Sequence, residues 1–182
     1  GNRIYSTWPG GGYFGIAGTS MSAPAVSGSV ALMLERYEDV CPASADPLPS
    51  TTKALLTHTA KDMNDDATSW FNQGPDYASG YGRINVKEAI DMLPFHVEDG
   101  VDHGQVDRYE IYLYGEQDEL KVTLVWDDKA AEPNAGTALV NNLDLKLISP
   151  SGDEYYPWKL DANDPDAPAT RAVNDATNGT DN

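Results

Sequence analysis

In "GIAGTSMSAPAVSGSVALML", residues 15–34, Ser20 follows Gly18 and Thr19 and stands just ahead of a long apolar run. The spacing places Ser20 in the first turn of a helix. There a residue's own N–H is one of the helix's unpaired donors, facing outward with the positive end of the dipole. A carbonyl attacked by the Ser20 hydroxyl would develop an oxyanion, and that N–H is suited to receive it. Gly18 allows a tight turn and the close approach of a substrate backbone. The chemistry such a segment suits is acyl transfer. A hydroxyl that merely caps a helix has the same signature, so the local pattern alone leaves both roles open.

Other reactive residues can be weighed in the same way. The α/β-hydrolase elbow G-x-S-x-G would need glycine at position 22, where the chain has Ser22. "STTK", residues 50–53, has the S-x-x-K spacing of penicillin-recognising enzymes but neither companion motif, and Ser50 reads as a helix cap. The single cysteine, Cys41, can form no disulfide within the chain and reads as a small packing residue. His58, His96 and His103 all follow Ser20; with one cysteine and three scattered histidines there is no zinc ligand set. Oxygen ligands for calcium are dense in "DMNDD" (residues 62–66) and in "DANDPD", where Asp161, Asp164 and Asp166 are the candidates. Neither stretch has the glycine and closing glutamate of an EF-hand loop, and Asx-turns are the competing explanation.

The elements that must position these residues fall into two regions. From about Ser20 to Leu93 the periodicity is helical: a helix from about Ser20 with a hydroxyl cap and Pro24 in its opening turn, a second over "STTKALLTHTA" capped by Ser50 or Thr51, and a third over "NVKEAIDML" capped by Asn85. The first is apolar on nearly all sides and reads as a buried central helix. After Pro94 the period changes to two. "VDRYEIYLYG", "ELKVTLVWDD", "LVNNLDLKLISPSG" and "EYYPWKL" predict an all-β sandwich or jelly-roll module over residues 95–182, with "SPSGDE" as a hairpin turn. The expected class is therefore α+β in two domains, 1–94 and 95–182.

Composition narrows the partners. The 182 residues carry 29 acidic and 12 basic side chains, a net charge of −17, with 40% hydrophobic residues, enough for a core. Such acidity repels nucleic acid and anionic lipid, so no nucleic-acid or membrane partner is expected. No apolar run reaches the length of a membrane span.

"GTSMSAP" resembles the nucleophile block of the subtilisin-like serine peptidases, the subtilases. "IYSTWPGGGYFGIAG" resembles the stretch before that block, and "GYGRINVKEAI" the helix that closes the catalytic domain. The resemblance implies a secreted bacterial serine endopeptidase with an α/β catalytic domain and a protein or peptide substrate. Ser20 would be the nucleophile and oxyanion donor, with Gly18, Thr19 and Met21 flanking the substrate. Met21 in that position would be open to inactivating oxidation. In subtilases the acid, the base and an oxyanion-hole asparagine precede the serine. Only nineteen residues precede Ser20, with no aspartate or histidine among them. The expectation is thus the C-terminal part of a catalytic domain, inactive on its own. "LVNNLDLKLISPSGDEYYPW" resembles the β-sandwich that follows the catalytic domain in some subtilases and in proprotein convertases, through Asn142, Asp144, Pro150 and Gly152. There it stabilises the protease and often holds calcium. No cofactor is required by this chemistry, and calcium would be structural. The competing function is a stabilising or calcium- or ligand-binding β-sandwich without catalysis. A last expectation is self-association, because Val26, Val30, Leu32, Met33 and Leu34 would otherwise face water.

Overall fold

A computed structural model describes residues 3–42, 46–63, 72–115 and 119–171. The chain opens with an antiparallel hairpin, β1 (Ile4–Trp8) and β2 (Gly12–Ile16), in register from Ile4↔Ile16 to Trp8↔Gly12. Its turn, Pro9-Gly10-Gly11, needs positive φ at both glycines (94° and 85°), a conformation that costs glycine little. Trp8 and Phe14 stack across the hairpin with ring centres 5.2 Å apart.

Three helices follow: α1 (Thr19–Val40), α2 (Pro49–His58) and α3 (Val86–Asp91), the last leading into a 3-10 turn at Leu93–Phe95. Along α1 the buried positions are Ser29, Met33 and Tyr37, a stripe at intervals of four residues. Met33 and Tyr37 meet Leu55 of α2, Ala89 of α3 and Leu93 in one core cluster. Val26, Leu32 and Leu34 are exposed, and only one stripe of α1 finds partners in this chain. Ser29 sits in that stripe because its hydroxyl donates back to the Ala25 carbonyl at 2.7 Å, which satisfies a buried polar group.

The helix caps differ in kind. The expected hydroxyl cap of α1 is instead Gly18, at φ 153° and ψ 171°, with no side-chain hydrogen bond. Pro24 lies inside the helix rather than in its first turn. The first helical residue of α2 is Pro49, after Leu48, so Ser50 and Thr51 are not its caps. Asn85 does cap α3: its Oδ1 accepts the Glu88 N–H, while its Nδ2 donates to the Glu88 carboxylate at 2.5 Å.

Beyond residue 95 the described residues do not confirm the expected sandwich. Among the described residues, strands here are limited to two antiparallel pairs of two residues, β3 (Leu147–Ile148) with β4 (Glu154–Tyr155) and β5 (Trp158–Lys159) with β6 (Thr170–Arg171). Alternation makes a segment fit to be a strand, but a strand exists only where a neighbour satisfies its N–H and C=O groups. The turn expected at "SPSGDE" is present, with the Ser149 N–H donating to the Asp153 carbonyl at 2.9 Å and Gly152 at φ 93°. Elsewhere side chains take the place of ladders. Asp128 accepts from the Val140 N–H at 2.7 Å and from the Asn141 side chain at 2.7 Å, and these donors hold its carboxyl below the usual carboxylate range.

Candidate active site

Ser20 is the second residue of α1 and is exposed. Three local features fix it. Gly18 turns the chain through a conformation that residues with a Cβ rarely adopt. The Met21 N–H closes back onto the Gly18 carbonyl at 3.1 Å, tightening the first turn and leaving the Ser20 N–H without an intrahelical acceptor. Pro24 has no N–H, so the Ser20 carbonyl receives no i+4 bond. Thr19 is exposed beside Ser20, while Met21 is half-buried, its sulfur 4.0 Å from where a Cβ on Gly18 would stand.

No histidine joins this serine among the described residues. The His58 ring Nδ1 is paired with the Thr123 hydroxyl at 2.9 Å. Burial and the nearby Lys121 ammonium pull His58 below its ordinary pKa, against an opposing pull from Glu88. His96 packs its ring against Tyr37, pairs Nδ1 with the Leu93 carbonyl at 2.5 Å and faces Glu98 at 3.9 Å. His103 is exposed. The Asp62 carboxylate accepts the Gly74 N–H at 2.6 Å, while Asp65 and Asp66 lie outside the described residues. The bonds of His58 and His96 are thus made to residues other than Ser20.

The acidic loop at residues 161–166 is organised by Asx-turns. Asp161 accepts the Asn163 N–H at 2.9 Å, and the Asp161 carbonyl accepts the Asp164 N–H at 3.2 Å. Among the described residues no three His, Cys, Asp or Glu side chains gather into a group that could hold a metal ion. Asp161, Asp164 and Asp166 thus form no such group. Cys41 is a half-buried free thiol packed beside the core cluster.

Another group of residues emerges only in three dimensions. Ser50 donates its hydroxyl to Asp127 at 2.8 Å, the Leu48 N–H donates to Glu98 at 3.1 Å, and Thr51 also donates to Glu98. Lys121 donates to the His58 carbonyl at the other end of α2, at 2.5 Å. These contacts span 47 to 77 positions of sequence, and no local motif announces them.

Comparison with known proteins bears on the first part of the chain. Residues 2–82 match the family described as the subtilase family. A serine protease/ABC transporter B family protein, tagA, of Dictyostelium discoideum is 28% identical over 152 residues, covering 72% of this chain and 8% of that protein. Fervidolysin of Fervidobacterium pennivorans is 33% identical over 97 residues, covering 53% of this chain and 12% of its own length. No solved structure gives a significant match. Residues 2–82 thus resemble the subtilase family, which supports a serine peptidase relationship at that coarse level. It spans about a tenth of the length of the two relatives it matches.

Proposed function

We propose that this chain carries the nucleophile segment of a secreted, subtilisin-like serine endopeptidase, with Ser20 as the attacking residue. The observation that carries the reading is an exposed serine at the second position of a 22-residue helix, behind a glycine at φ 153°, within the residues that match the subtilase family. In the reaction, the Ser20 Oγ adds to the scissile carbonyl of a protein or peptide substrate and the carbonyl oxygen becomes an oxyanion. The Ser20 N–H, held outward by the first turn of α1, donates to it. Thr19 and Met21 flank the path of the substrate, and Gly18 keeps its backbone approach open. The amine then leaves and water releases the acyl group from Ser20.

Attack at a useful rate requires a base to take the hydroxyl proton. His58, His96 and His103 are engaged or placed elsewhere, so the 182-residue chain by itself is proposed to be inactive. Residues 95–182 are proposed to serve as an appended module.

A fluorophosphonate probe tests the reading. The chain alone should label no faster than its Ser20→Ala variant. When the same chain is joined to a subtilase segment that supplies an aspartate and a histidine, labelling should appear on Ser20 and vanish in Ser20→Ala. Failure of the joined, folded protein to label at Ser20 would overturn the assignment. Labelling of the chain alone, lost in Ser20→Ala, would overturn its inactivity.

A further inference from the structure

We propose that residues 119–128 form a strap across α2 that an acidic medium releases at its His58 end. The strap crosses the whole helix. At the α2 N-terminus the Asp127 carboxylate accepts from the Ser50 hydroxyl at 2.8 Å and from the Ser50 N–H at 3.4 Å, with Glu98 on Leu48 and Thr51 beside it. At the C-terminus Lys121 donates to the His58 carbonyl at 2.5 Å, and Thr123 meets the His58 ring at 2.9 Å. A carboxylate at the positive end of a helix and an ammonium at its negative end both complement the macrodipole. Charge thus fixes the direction in which the strap lies.

The two ends differ in what their imidazoles face: His96, at the first end, lies 3.9 Å from the Glu98 carboxylate, whereas His58, at the second, lies beside an ammonium. His58 is half-buried, and the charged groups that act on it are Lys121 of the strap and Glu88 of α3. Protonation need not break the bond to Thr123, since the hydroxyl can turn and accept from a charged ring. The new charge has no such remedy. It is partly desolvated, and it faces the Lys121 ammonium, which is already committed to the His58 carbonyl. Glu88 offsets this only in part, because burial and Lys121 together hold the ring below its ordinary value of 6.5. The folded chain therefore binds this proton more weakly than the unfolded one. The stability it contributes is complete above 6.5 and is lost as the pH falls through that value towards the lower folded one. Release of Lys121 and Thr123 is the local route by which the charged ring reaches water.

Hydrogen exchange on the intact 182-residue chain, corrected for the intrinsic pH dependence of the reaction, tests the strap. Between pH 8 and pH 5.5, peptides covering 119–126 and the last turn of α2 should lose about threefold or more of their protection, while the Met33 and Ala89 peptides keep theirs. His58→Gln, which keeps a polar ring-sized group without a titrating charge, should remove that pH dependence. Lys121→Met should raise the His58 pKa in an NMR titration and blunt the acid loss, with the Met33 and Ala89 peptides still protected at pH 8 to show that the fold is kept. Equal protection at both pH values, or an unchanged acid loss in folded His58→Gln, would overturn the proposal.

Discussion

At the scale of single residues, the conformations around Ser20 are set by what a neighbour lacks rather than by what it has. Gly18 lacks a Cβ, and its backbone sits where a Cβ costs about 1–3 kcal/mol. The added methyl would meet nothing closer than the Met21 sulfur at 4.0 Å, so the cost would come from the backbone and not from crowding. Gly18→Ala is expected to lower stability by that amount in urea denaturation. Gly28, in the middle of α1 with open space around it, supplies the contrast: Gly28→Ala should raise stability by roughly 0.5–1 kcal/mol. Similar effects of the two substitutions would refute the role given to Gly18. Gly82 is a third kind of case, since a Cβ there would collide with the Lys61 carbonyl where the chain is bridged to Arg83.

At the scale of elements, each helix is held at its ends by a different device: α1 by a glycine turn, α2 by distant charges, α3 by a local box. Only the α3 box is self-contained. Asn85 and Glu88 exchange two hydrogen bonds within one turn, so the six-residue helix carries its own start. Asn85→Ala should cost about 1 kcal/mol and Asn85→Asp much less, measured by the urea midpoint. Equal losses in the two variants would show that the side chain acts through something other than the cap. The core that joins the helices is small, with Met33, Tyr37, Leu55, Ala89 and Leu93 at its centre. It follows that α1 is anchored through one stripe while its opposite face carries exposed Leu32 and Leu34.

At the scale of the whole molecule, the hairpin leaves large side chains uncovered: Tyr5, Tyr13 and Phe14 are 66%, 75% and 55% exposed. A two-stranded hairpin is marginal in isolation, and its unpaired edges are templates for another strand. The chain is expected to self-associate, most simply as a two-fold dimer through the hairpin and the exposed side of α1. Light scattering at high micromolar concentration should then give at least twice the monomer mass, and Tyr13→Lys with Phe14→Lys should reduce it. A monomer under those conditions would contradict the expectation. The net charge of −17 works against association, so added salt should favour it.

The sequence by itself determined what depends on neighbours a few positions apart. The helix behind Ser20, the Asn85 cap, the turn at "SPSGDE" and the subtilase resemblance of "GTSMSAP" were all legible, because caps, turns and motifs are written in adjacent residues. Which face of α1 is covered was not legible. An apolar residue signals a need for burial, but only the placement of α2 and α3 decides that Met33 obtains it and Leu32 does not. The same holds for the described residues between 96 and 146, whose alternation predicted strands that are not paired there. Ser50 and Thr51 were readable as hydroxyls near a helix start. That their partners are Asp127 and Glu98, 77 and 47 positions away, was decided by the tertiary structure alone. A hydrogen bond between distant residues leaves no periodic trace in a sequence, because each partner need only be polar and the fold supplies the meeting.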